Sequence, residues 1–108
     1  MQAAQVACNL IQDAVSGVGT PIDVRGISPI TLYVRGNGAV SAGGVQLETA
    51  HDKEYTGSWA VIGAPVVVPS NGEALFSTDV ALAAIRVRVT TPVVGGTATV
   101  FCVGGVVA

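Results

Sequence analysis

Along the chain, apolar and polar positions alternate far more often than they recur at the helical spacing of three and four, which is the pattern of strands with one buried face. In "AIRVRVT", residues 84–90, Ile85, Val87 and Val89 point one way, and Arg86, Arg88 and Thr90 point the other. "PITLYVRG", residues 29–36, repeats the pattern with Ile30, Leu32 and Val34 inward and Thr31, Tyr33 and Arg35 outward. The second strand is expected to end at "GNG", residues 36–38, where Asn37 and Gly38 suit a tight turn. The same rule predicts strands in "QVACNLI" (5–11), "IDVRG" (22–26), "GVQLETA" (44–50), "SWAVIGAPVVV" (58–68), "EALFST" (73–78) and "TATVFCV" (97–103). Turns are expected at Gly17 and Gly19, at Gly43 with Gly44, at "PSNG" (69–72) and at "TPVVGG" (91–96). About eight short strands between glycine turns predict an all-β fold, a single antiparallel β-sandwich or jelly roll forming one domain over residues 1–108. Frequent glycine (14 residues) and β-branched side chains weaken any helical alternative.

Pro65 interrupts the longest apolar run, and because proline cannot donate to a ladder, that strand is expected to bend there or to lie at a sheet edge. An apolar edge invites a covering neighbour. The ends, 1–5 and 104–108, read either as extended arms reaching other subunits or as frayed termini.

Composition adds a constraint on the exterior. Only 11% of the 108 residues are charged, against about 25% in an ordinary soluble domain. A surface so poor in charge is either solvated by Thr, Ser, Gly and Gln, or covered by other protein, and the deficit leans toward assembly. The formal charge of -2 and the scatter of Arg25, Arg35, Arg86 and Arg88 argue against nucleic acid, whose binding requires clustered phosphate neutralisation. Residues 89–108 carry no charge, but Pro92, four glycines and four threonines make them a turn and a strand, so no membrane span is expected. The N-terminus has neither the basic start nor the apolar core of a signal peptide. Cys8 and Cys102 match no metal motif and are expected to be buried thiols.

The polar segment "HDKEYTGSW", residues 51–59, holds the only histidine, lysine and tryptophan. His51 is the single base available for a triad, and no serine lies in a nucleophile elbow, so no catalytic residue is assigned. His51, Asp52, Glu54 and Glu48 offer oxygen and nitrogen atoms without the spacing of a metal loop; a charged hairpin tip accounts for them, and no metal or cofactor is expected. Trp59 is expected to pack between the two sheets. Tyr33 and Tyr55 are the pair from which a sugar platform would be built.

In order, "VQLETAHDKEYTGSWAVIG" and "EALFSTDVALAAIRVRVTTPVVGGTATVFCVGG" resemble small β-sandwich proteins of tailed-phage virions. The shared features fall on Glu48, Asp52, Trp59, Ile62, Phe76, Arg86, Arg88, Gly95 and Gly96. The resemblance implies a virion structural protein of the capsid decoration or cement type. Such a protein sits on the outer surface of a phage head assembled in the host cytoplasm, and clamps major capsid subunits without catalysis. It also implies a dimer or trimer of the chain with itself, while tail, baseplate or fibre modules and carbohydrate-binding sandwiches are the alternatives. The interface is expected at the terminal arms, at Pro65, Val66, Val67 and Val68, and along the outward row Tyr33, Arg35, Arg86 and Arg88.

Overall fold

The computed structural model describes the backbone of residues 3–107 and the side chains of residues 10–105. Strands β1 (Ala3–Ala14), β2 (Ile22–Asp23), β3 (Ile27–Ala50), β4 (Ala60–Val67), β5 (Glu73–Thr78) and β6 (Ala84–Val107) pair antiparallel throughout. Their order is β1-β6-β3-β4, with β2 against β6 and β5 against β3. The fold is all β, as the alternation predicts. The strands are fewer and two are much longer, because "PITLYVRG" and "GVQLETA" are the two ends of β3, and "AIRVRVT" and "TATVFCV" are the two ends of β6.

The stretches expected to be turns at 36–38 and 91–96 are therefore not hairpin ends. They lie opposite one another, with Gly38 paired to Gly96 and Ala42 to Val94, and the register slips between Gly38 and Val45. Both long strands bend at this shared level. Glycine permits the bend because the two backbones pass so closely. A Cβ on Gly95 would run into the Ala39 carbonyl oxygen, and one on Gly96 into that of Asn37. Gly95 also has φ of 89°, a left-handed conformation that side chains disfavour.

The bend divides the sheet into two halves. The β5 half contains β1, residues 97–107 of β6, residues 27–38 of β3, and β5. The β4 half contains β2, residues 84–91 of β6, residues 44–50 of β3, and β4. Ile30, Leu32, Val34 and Val100 from the first half join Val45, Leu47, Ile85 and Val87 from the second in one buried cluster. The two halves thus face each other as the layers of a sandwich made by folding over a single sheet. Each of these side chains, fully removed from water, contributes about 2 kcal/mol before the entropy of ordering is set against it. The molecule's shortest dimension, 20 Å, suits two layers about 10 Å apart with their outward side chains.

At the chain ends, Ala3, Ala4 and Gln5 pair with Val107, Val106 and Gly105, so the segments considered as arms are ladder partners of each other. Met1, Gln2 and Ala108 lie outside the described residues. The same ladder sets Cys8 opposite Cys102; the Cys102 side chain is buried, and the Cys8 side chain lies outside the described ones. The uncharged stretch after residue 88 continues as β6, and no described helix is long and apolar enough to cross a membrane.

Candidate functional site

The outward row expected from alternation is split by the bend. Arg86 and Arg88 lie on the outer face of the β4 half, where Glu48 stands opposite Arg86 and Gln46 opposite Arg88. Although Glu48 points away from the core, its side chain is only 3% exposed. Arg86 Nε donates to Glu48 Oε1 at 2.8 Å, and Arg88 Nη2 lies 2.9 Å from Glu48 Oε2. The Arg86 guanidinium stacks over the Trp59 ring, 4.5 Å from its centroid. Trp59 is buried here, outside the cluster between the layers, which corrects its expected position. The indole N–H explains why: it donates to the Tyr55 carbonyl oxygen at 3.0 Å, an acceptor that a Val, Ile and Leu core does not supply.

β4 is the edge of this half, consistent with Pro65. Val66 pairs with Val45 and Ile62 with Leu47, so residues 63–65 bulge opposite Gln46 alone. Gln46 Nε2 donates to the carbonyl oxygens of Ile62 (2.9 Å) and Gly63 (3.1 Å), satisfying groups that the bulge removes from the ladder. Within the apolar run, Pro65 is exposed and Val66 half-buried. Val67 is 74% exposed, whereas Val68 turns into the core. Val61, on the outward face beside Glu48, is 63% exposed. The 51–59 segment is the connection from β3 to β4, the hairpin tip expected from sequence. Asp52 Oδ1 accepts the Glu54 N–H at 2.8 Å, the His51 and Tyr55 rings lie 5.1 Å apart, and Glu48 belongs to the arginine cluster instead.

Tyr33 and Arg35 lie on the other outer face, that of the β5 half. Leu75, Tyr33 and Phe101 are partners across β5, β3 and β6. They form an outward row in which Leu75 is 63% and Phe101 38% exposed. The next row is Glu73, Arg35 and Thr99. Arg35 Nη2 is 3.6 Å from Glu73 Oε2, an exposed pair that contributes little to stability. Beyond it, Asn37 Nδ2 donates to Asp13 Oδ1 (3.2 Å), Thr97 Oγ1 (3.2 Å) and Thr99 Oγ1 (3.0 Å). Asp13 sits where the β1 register slips, at φ 48°, and its N–H donates to Thr99 Oγ1 at 3.2 Å. All of these residues except Leu75 and Thr97, together with Gln12 and Val103, line a cleft of about 550 Å³.

Tyr55 is on the hairpin of the opposite half, so Tyr33 and Tyr55 do not form one platform; the aromatic residue across the ladder from Tyr33 is Phe101. Sequence reading missed Phe101, Glu73, Asn37, Asp13 and Thr99. Alternation through "TATVFCV" contained the signal for two of them, since Thr99 and Phe101 share the outward parity, while Ala98, Val100 and Cys102 are buried. No spacing rule joins Asp13 to Thr99, 86 positions away.

No family model and no curated protein sequence matches this chain. Among solved structures, the SPBc2 prophage-derived protein YomS has a similar fold, with a TM-score of 0.73 over 97% of this chain and 96% of that one, at 14% sequence identity. At that identity the likeness is one of fold.

Proposed function

We propose that this protein is a structural component of a phage particle, a decoration or cement protein on the outer surface of the head that bridges neighbouring major capsid subunits. The end-to-end fold likeness to a prophage-derived protein supports the phage origin. The observation that carries the docking role is β4: an edge strand without a charged residue, with Val61 and Val67 exposed. A free edge of this kind is either guarded or covered. The bulge and Pro65 guard its middle, and its two ends remain open to a partner strand, whose main chain would continue the ladder while the valines fill apolar pockets.

A standard interface buries about 800 Å² per partner, roughly one-seventh of the 5684 Å² surface of this chain. An interface of that size would leave most of the exterior for other copies. Self-association as a dimer or trimer would multiply a modest contact around a symmetric shell. Arg86 and Arg88 act in this scheme by keeping the adjacent face rigid through Glu48.

The test is to purify particles of the phage that encodes the chain, quantify the protein in them, and locate it by electron microscopy. The expected result is regular density on the head, with Val61→Lys/Val67→Lys protein folded but absent from particles. Particles devoid of the wild-type protein, or double-variant protein incorporated at the wild-type level, would overturn the reading.

A further inference from the structure

We propose that the cleft on the β5 half is a binding site for a neutral saccharide, separate from the β4 docking edge. Its volume of about 550 Å³ falls among small-ligand sites, roughly 300–1,000 Å³. Its floor is the cross-strand pair Tyr33 and Phe101, which offers ring surface to the apolar C–H face of a sugar. Its rim supplies hydrogen bonds of both polarities: the Arg35 guanidinium, the carboxylates of Glu73 and Asp13, and the Asn37 amide.

The rim is organised before any ligand arrives. Asn37 has its Nδ2 group engaged by Asp13, Thr97 and Thr99, which aims its Oδ1 as an acceptor. Thr97 Oγ1 also donates to Asp13 Oδ1 at 3.3 Å, closing the network. The left-handed backbone at Asp13, φ 48°, is a local cost that this network holds in place. Arg35 and Glu73, joined only by a long exposed contact, are free to turn toward ligand hydroxyls.

The chemistry selects against other occupants. Two carboxylates, Asp13 and Glu73, against one guanidinium, Arg35, disfavour a phosphate or other anion. A peptide strand cannot add here, because the floor is made by β3 and β6, which have ladder partners on both sides in this half. A purely apolar ligand would displace water from the exposed Arg35 and Glu73 head groups without replacing its hydrogen bonds. A polyol with one apolar face satisfies rings and rim together.

The experiment titrates the full ¹⁵N-labelled chain with the N-acetylglucosamine trisaccharide, maltotriose, mannotriose and galactose, following amide shifts. The expected result is that at least one sugar shifts residues 12–13, 33–37 and 97–103, and that Phe101→Ala and Asn37→Ala each weaken binding roughly tenfold or more. Tyr33→Phe, which keeps the ring, should stay within about threefold. Phe101 is exposed, so its variant remains informative should Asn37→Ala disturb folding. Absence of shifts with all four sugars, shifts located elsewhere, or unchanged affinity in Phe101→Ala would overturn the proposal. So would loss of particle attachment by Phe101→Ala without any sugar response, which would make the occupant a protein. Val61→Lys/Val67→Lys should bind sugar as the wild type does, so failure of the docking reading and failure of this one are separable.

Discussion

The two outer faces of the folded sheet are built on the same strands, β3 and β6, yet they reach opposite outcomes. On the β4 half, Glu48 sits between Arg86 and Arg88, and Trp59 lies over one of them, so the three charges of this face are closed upon themselves. On the β5 half, the corresponding outward positions include Tyr33, Phe101 and Thr99 beside Arg35 and Glu73, and the face stays open as a cleft. Charge alone therefore does not mark the accessible face. Arginine side chains long enough to lie flat along the sheet cover their neighbours and bury a carboxylate. Shorter hydroxyls and rings standing out from the sheet leave space between them.

This contrast assigns stability to one face and recognition to the other, and substitutions can break it. The largest effect is expected at the bend the faces share. Gly95→Ala should cost about 3 kcal/mol or more, combining a left-handed φ with a backbone clash. Urea unfolding followed by Trp59 fluorescence and by far-ultraviolet circular dichroism should give coincident transitions; separate ones would mean that the halves fold independently. Next, Glu48→Ala should cost about 3 kcal/mol by leaving the largely buried Arg86 charge without its partner, read as a lower urea midpoint at unchanged slope. Trp59→Phe, which loses the hydrogen bond to Tyr55 and weakens the arginine stack, should cost about 1 kcal/mol in the same assay. On the open face, Leu75→Ser and Arg35→Ala should each change stability by less than about 0.5 kcal/mol. A cost for Leu75→Ser as large as that for Glu48→Ala would erase the distinction between the faces.

Much of the strand content was legible because side-chain parity is a local property. β5 runs from Glu73 to Thr78, the limits that alternation predicts, and Ile85, Val87, Ile30, Leu32 and Val34 are buried as expected. The continuity of β3 and β6 was not legible. A glycine pair reads as a turn when its strand is considered alone, and Gly38 and Gly96 become a paired bend only because each finds the other across the ladder. The site was legible in fragments. Tyr33 and Arg35 were visible as outward residues, whereas Asp13 reaches the cleft through a register slip in β1 that no local pattern announces.

By itself, then, the order of residues determined that the chain is antiparallel β, that Ile30, Leu32, Val34, Ile85 and Val87 face inward, that "PSNG" turns between β4 and β5, and that the strand holding Pro65 bends or lies at an edge. These follow from steric and solvation preferences acting over a few neighbours. Only the tertiary structure decided that two pairs of strands fuse into β3 and β6, that Trp59 lies over Arg86 instead of between the layers, and that Tyr33 meets Phe101 and not Tyr55. Those outcomes depend on which distant backbones approach each other, and the energy of such contacts is set by both partners together.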